Sequence, residues 1–294
     1  MRVHVDAPWN LSRAMFRVAK ALRAAAPAHV ECVADPDEAD VHVRHVIGYE
    51  ALDDQAPDIA VIQYCIASAL AAPGEDGAWA PLWRRARAVW SYYDLSRSMP
   101  PGARFYLAPL GVDGETFRHR DGPRPVGVMT SGYVSGPGAE AIEEMVVAAG
   151  RAGLTACHLG PTPTNLRAPL GPHCLTMLGV PDETLAAEYA QCKWVSGLRY
   201  VEGFELPVIE GLACGARPIV FDRPDMRRWY DGHAVFVPEL EGDALVDVLT
   251  DVLRSEPEPV TLAERAEVLR RFDWFGVARG FWDALLERKG EAAA

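Results

Sequence analysis

No apolar run in this 294-residue chain approaches the roughly 20 residues needed to cross a bilayer, so no stable membrane insertion is expected. The first residues, Met1 to Asp6, alternate apolar and polar side chains and lack the apolar core of a signal peptide, which points to the cytoplasm. Cysteine is sparse, six in all (Cys32, Cys65, Cys157, Cys174, Cys192 and Cys214), and none forms a Cys-x-x-Cys pair. A chain of this length needs no disulfide staples, so the scatter reads as buried free thiols. Cys157-His158 and His173-Cys174 are adjacent pairs, and adjacent residues rarely chelate one ion without further spaced ligands. No Asp-x-Asp stands near a glycine loop, because Asp35-Pro36-Asp37 falls in an early turn. No metal is therefore expected. No Gly-x-Gly-x-x-Gly follows the first strand, and Gly132 to Gly138 (GYVSGPG) has neither the glycine spacing nor the following acid, which disfavours a nicotinamide oxidoreductase. No cofactor is expected.

What is present is a globular balance, 49% hydrophobic and 24% charged, with a net charge of −12. The charge is uneven, at −2 for residues 1–110 and −10 for the rest. So acidic a surface argues against non-specific nucleic-acid binding, which needs phosphates neutralised.

Short apolar runs alternate with amphipathic ones. Strands are expected at Val3 to Val5, Val30 to Val33, Val41 to Ile47, Ile59 to Tyr64 and Ala88 to Tyr92, with helices at Leu11 to Ala26 and Pro81 to Arg87. Pro109 to Pro125 breaks the pattern and reads as a linker. The alternation then restarts. Strands fall at Val126 to Thr130, Thr155 to Leu159, Leu175 to Leu178, Trp194 to Leu198, Pro218 to Phe221 and Val235 to Val237. Helices fall at Gly138 to Gly150, Pro181 to Gln191, Pro207 to Cys214, Asp243 to Arg254 and Leu262 to Arg271. Such alternation implies an α/β chain of two Rossmann-like domains with parallel sheets, joined near residue 112 and facing a central cleft.

The densest chemistry lies in Val201 to Gly215 (VEGFELPVIEGLACG). A strand ends near Leu198, a glycine loop follows, and a helix begins at Pro207, where a missing N–H costs nothing. Backbone amides and the helix dipole then face the loop and suit a phosphate or sugar oxygen. Glu210 could accept two hydroxyl hydrogen bonds from a ribose diol, and Glu202 one from a sugar. Read from the residues alone, Glu202, Glu205 and Glu210 could equally be solvated charges.

That segment resembles the Glu-x7-Glu signature of retaining glycosyltransferases of family four, which have the GT-B fold. Other stretches agree. Pro109 to Phe117 (PLGVDGETF) resembles the interdomain segment, with Leu110 replacing Asn. Cys157 to Gly160, Met177 to Pro181 and Ala213 to Val220 resemble later elements of the second domain, and Phe272 to Ala278 resembles the aromatic start of the family's last helix. The likeness in residues 1–108 rests on layout. The resemblance implies an acceptor-side domain over 1–110, a nucleotide-sugar domain over 111–271, and a final helix, 272–294, that crosses back to the first domain. It implies transfer of a sugar from a nucleotide-diphosphate donor to a hydroxyl acceptor, with retention and without metal. Glu210 would hold the ribose and Glu202 the transferred sugar. Gly132, Tyr133, Leu178, Gly203, Phe204, Glu205 and Leu206 would complete the donor site. Trp9 and Asn10 would lie on the acceptor side, with His45 at the chemistry.

Two departures stand out. Glu205 occupies a place where the family usually has Gly. The loop Thr130 to Gly138 lacks the Arg and Lys that usually meet the diphosphate. Arg199, just before the signature, is the nearest cation to replace them, and it could also be an ordinary surface Arg at a strand end. Asn10 could equally cap its helix. His42 and Arg44 share one face of a strand and His45 the other. Trp79, Trp83, Arg84, Arg85, Arg87 and Trp90 form a basic-aromatic stretch that reads either as a surface for an anionic partner or as a helix with an apolar stripe. The competing function is a non-catalytic nucleotide-sugar or glycan binder on the same scaffold.

Overall fold

A computed structural model describes residues 1–6, 13–45, 58–62, 86–95, 104–132, 140–160, 174–177, 179–200 and 203–286. The chain divides into two compact units, Met1–Gly111 together with Phe272–Ala294, and Val112–Arg271.

The first unit is built on a six-stranded parallel sheet. Its strands are β1 (Arg2–Asp6), β2 (Glu31–Val33), β3 (Val41–His45), β4 (Ile59–Ile62), β5 (Ala88–Ser91) and β6 (Arg104–Leu107), in the order β2-β1-β3-β4-β5-β6. Alternation along β1 buries Val3 and Val5. In the middle of the sheet the alternation disappears, and every residue of β5 is buried. Helix α1 (Arg13–Ala24) buries Val18 and Leu22, and packs against the last helix of the chain, Trp274–Leu286. There Trp282, fully buried, donates its indole N–H to the Leu22 carbonyl at 2.9 Å. Tyr106 on β6 donates its hydroxyl to the Val277 carbonyl at 3.0 Å. Of the helix expected over Pro81 to Arg87, Ala86 and Arg87 are not helical, and Trp79, Trp83, Arg84 and Arg85 lie outside the described residues.

The second unit has its own six-stranded parallel sheet. Its strands are β7 (Val126–Ser131), β8 (Ala156–Leu159), β9 (Cys174–Met177), β10 (Cys192–Gly197), β11 (Arg217–Phe221) and β12 (Val235–Val237), in the order β12-β11-β10-β7-β8-β9. Helices α2 (Ile142–Arg151), α3 (Asp182–Gln191), α4 (Leu206–Cys214), α5 (Pro224–Tyr230), α6 (Gly242–Arg254) and α7 (Leu262–Arg271) cover it. The last helix of the chain, in the first unit, is then α8. Met145, Ala148 and Ala149 of α2 and Leu245 and Leu249 of α6 join Val128, Trp194, Ile219 and Phe221 in one core. Every residue of α4 from Pro207 onward is buried, so this helix is central to the unit.

The division between the units falls between Gly111 and Val112, inside the stretch expected as a linker, and the start of that stretch is packed. Val112 and Phe117 are buried in the second unit, and the Phe117 ring lies 6.3 Å from that of Tyr189. Asp113 shapes the turn by accepting from the Glu115 amide at 3.0 Å and the Thr116 hydroxyl at 2.7 Å.

Helix α7 opens with a capping box. Thr261 Oγ1 accepts from the Glu264 amide at 3.1 Å, and Glu264 Oε2 accepts from the Thr261 amide at 2.8 Å. The same carboxylate binds buried Arg217 at 2.8 Å, and Arg217 also donates to the carbonyls of His233, Glu258 and Pro259. Burial pushes the Glu264 carboxyl up, but the hydrogen bonds from Arg217 and Thr261 outweigh it and hold it at about 2, against an ordinary 4.5. A depressed carboxylate stabilises the fold above its unfolded value and loses that contribution as pH falls toward the folded one. Urea melts of wild type and Glu264→Gln should therefore differ by on the order of 2–3 kcal/mol above pH 4.5, and the difference should vanish as pH approaches about 2.

Candidate functional site

In open parallel sheets, ligands bind beyond the C-terminal ends of the strands where the strand order reverses. In the second unit that point lies between β7 and β10, because the chain leaves β7 for β8 and β9 on one side and returns for β10 and β11 on the other. The residues leaving these two strands are Ser131-Gly132 and Leu198-Arg199-Tyr200.

Arg199 is 4% exposed. Its Nε lies 3.1 Å from Glu140 Oε1 and 2.8 Å from Glu205 Oε2, and its Nη2 donates to Ser131 Oγ at 3.3 Å. Both carboxylates are buried as well. The backbone reinforces the arrangement, since Glu140 and Arg199 form an isolated antiparallel bridge and the Ala141 amide donates to the Leu198 carbonyl at 3.0 Å. One guanidinium thus ties the residue just before α4 to the segment leading into α2.

The glycine loop is held from below. Phe204 stacks on Tyr230 with ring centres 5.6 Å apart and meets Trp229 edge-on at 5.9 Å. The Tyr230 hydroxyl accepts from the Glu205 amide at 2.7 Å and donates to the Glu205 carbonyl at 3.1 Å. Glu205 is the N-cap of α4, yet its side chain makes no cap hydrogen bond and turns to Arg199 instead. Gly197, at the end of β10, permits this closeness, because a Cβ there would run into the side chain of Val208 on α4. Glu210 is 3% exposed on the second turn of α4, one turn before Cys214. Burial, and then the Glu210 charge, push the Cys214 thiol up to about 12. Burial likewise pushes Cys157 to about 12 and raises Cys192, so none of the three serves as a thiolate nucleophile near neutral pH.

The neighbouring strand adds a second close contact. The Gly132 amide donates to the Leu159 carbonyl at 2.9 Å, and the Gly160 amide to the Met177 carbonyl at 2.8 Å. Gly160 has φ +123°, and a Cβ on it would collide with the Gly132 carbonyl. Buried His158 sits beside them, its Nδ1 2.9 Å from Thr130 Oγ1.

The sequence-derived residues fall as follows. Gly132, Gly203, Phe204, Glu205, Leu206, Glu210 and Arg199 all belong to the second unit, on or beside the β10–α4 connection and the end of β7. Glu202, Tyr133, Leu178, Trp9 and Asn10 lie outside the described residues. Two contacts bear on the expected roles. The Glu205 amide donates to the Tyr230 hydroxyl. The Arg199 guanidinium Nε faces the Glu140 and Glu205 carboxylates. Sequence reasoning missed Glu140 and Tyr230, whose contacts depend on the sheet bringing distant segments together. In the first unit the order reverses between β1 and β3, where Arg44 Nε meets Asp6 Oδ2 at 2.8 Å. His45, one residue on and 5% exposed, lies on the opposite face of β3. Among the described residues no cluster of His, Cys, Asp and Glu could hold a metal ion, and no helix is long and apolar enough to cross a membrane.

No protein-family model matches the chain, and no curated protein matches it in sequence. Solved structures do. Sucrose-phosphate synthase from Thermosynechococcus elongatus is 15% identical, with a TM-score of 0.70 and 100% of each chain covered. The Anabaena protein HepE, solved in complex with UDP and glucose, is 13% identical with a TM-score of 0.67, covering 97% of this chain and 99% of its own. An α,α-trehalose-phosphate synthase (UDP-forming) from Burkholderia vietnamiensis is 12% identical with a TM-score of 0.59, covering 86% and 72%. The fold is GT-B. Within this GT-B chain, the reversal point of the second unit carries the Glu140–Arg199–Glu205 group, and α4, which follows it, carries the buried Glu210.

Proposed function

We propose that the chain is a glycosyltransferase that moves a sugar from a nucleotide-diphosphate donor to a hydroxyl acceptor, with retention of configuration and without a metal. The observation that carries this reading is the full-length likeness to sucrose-phosphate synthase, 100% of both chains, combined with a buried Glu210 on the helix that follows the reversal point. HepE, whose structure holds UDP, supports a uridine donor. In this reading Glu210 accepts from the ribose hydroxyls and Glu202 from the sugar. Gly132, Tyr133, Leu178, Gly203, Phe204 and the Leu206 amide line the donor, while Trp9, Asn10 and His45 serve the acceptor side. The protein supplies positioning and fixed donors to the leaving diphosphate. The diphosphate meets the amides of the Gly132 loop and of Leu206 at the start of α4, where the helix dipole favours an anion.

The test is calorimetric titration with UDP, followed by turnover of a panel of UDP-sugars in EDTA. Binding with EDTA-insensitive release of UDP is the expected result. UDP binding without turnover of any donor and acceptor offered would favour the non-catalytic binder, and turnover restored only by Mg²⁺ or Mn²⁺ would refute metal independence.

A further inference from the structure

Arg199 departs from its obvious role. A cation beside a proposed diphosphate site would be expected to present its charge to the ligand, yet this one is 4% exposed and faces two buried carboxylates. The guanidinium Nε is turned to these two carboxylates, 3.1 Å and 2.8 Å away, and not to solvent. The two carboxylates lie on different connections. Glu140 follows the loop after β7 and precedes α2, and Glu205 ends the loop after β10 and caps α4. A planar guanidinium has five N–H donors in a fixed fork and can serve two carboxylates and the Ser131 hydroxyl at once. Glu205 is also fixed through its backbone by Tyr230. Gly132 completes the arrangement, since a Cβ on it would stand 3.0 Å from Glu140 Oε2.

We propose that Arg199 is a positioning residue, a lock that ties Ser131 at the end of β7 and Glu140–Ala141 to Glu205 at the start of α4. It acts through Glu140 and Glu205 and does not bind the donor's phosphates. Glu205, where the resembling family usually has Gly, is then the second half of the lock. The proposal rests on the glycosyltransferase reading for its catalytic consequence, but the lock itself concerns the ligand-free protein.

The two roles predict different ligand behaviour. A phosphate-binding Arg contributes to UDP and much less to UMP, so losing it shrinks the affinity gap between them. A positioning Arg leaves the gap alone and lowers kcat, because a misplacement of about 1 Å can cost on the order of 100-fold. For Arg199→Ala, folded by circular dichroism, the UMP-to-UDP ratio of Kd should stay within about twofold of wild type, with kcat down about 10–100-fold and donor KM changed far less. Arg199→Lys should not recover it, because a single ammonium does not bridge two carboxylates in a fork geometry. Amide exchange in Gly203–Leu206 and in Glu140–Ala141 should rise together without any ligand. Collapse of the affinity ratio, or recovery by Lys, would overturn the proposal in favour of a phosphate contact. If Arg199→Ala does not fold, Glu140→Gln keeps the Arg199–Glu205 pair and should still loosen both segments. Unchanged exchange there would overturn the lock. If wild type binds no UDP, the glycosyltransferase reading fails, and the exchange measurement alone decides the lock.

Discussion

Gly160→Ala should destabilise the second unit by at least about 2–3 kcal/mol and lower its melting temperature by several degrees. Two penalties act together. At φ +123° an L side chain is strained whatever space surrounds it, and here the new Cβ would also meet the Gly132 carbonyl. Relief would require the chain after β8 to move away from the chain after β7. That would break the hydrogen bonds from the Gly132 amide to Leu159 and from the Gly160 amide to Met177. Both belong to the edge from which the proposed donor site is built, so UDP affinity should fall along with stability. A calorimetric melt within a degree of wild type would show that the two loops separate at no cost.

Glu210→Ala should weaken UDP binding by roughly 1–3 kcal/mol, about 5–150-fold in Kd, while leaving the free protein folded. Glu210 is almost fully buried on α4, the helix that follows the reversal point. In the proposed complex its carboxylate accepts from the ribose hydroxyls, and truncation leaves both without that partner. Glu210→Gln, which keeps the shape but halves the accepting capacity, should fall between. The comparison ligand is inorganic diphosphate, which has no ribose, and its affinity should be unaffected. Equal loss for UDP and diphosphate would place Glu210 elsewhere than at the ribose.

The sequence made the second unit readable almost strand by strand. Val235–Val237 and Leu262–Arg271 come out with the expected ends, and most other elements differ by a residue or two. Apolar runs with clear turn residues between them explain this success. The misses share a cause. β6 (Arg104–Leu107) is half-buried along its whole length at the sheet edge, so neither alternation nor a continuous apolar run marks it. α5 (Pro224–Tyr230) has seven residues, too short for a helical period, and two of them are Arg. At the site, the glycine loop and α4 were legible because Gly203, Pro207 and Gly215 punctuate them. The partners of Arg199 were not, because Glu140 stands 59 positions away and is delivered by the pairing of β7 with β10. Tyr230 meets Glu205 across 25 positions for a similar reason, through α5.

The first unit holds both an early and a late part of the polypeptide. Phe281 and Trp282 are buried in it, and the bond from Trp282 to the Leu22 carbonyl spans 260 positions. On the ribosome, β1 to β6 emerge first but lack α8, whereas Val112–Arg271 is complete before α8 is made. The second unit can therefore finish folding while the first still exposes the apolar surface that α8 will cover. The part translated first is thus the last to have all of its pieces available.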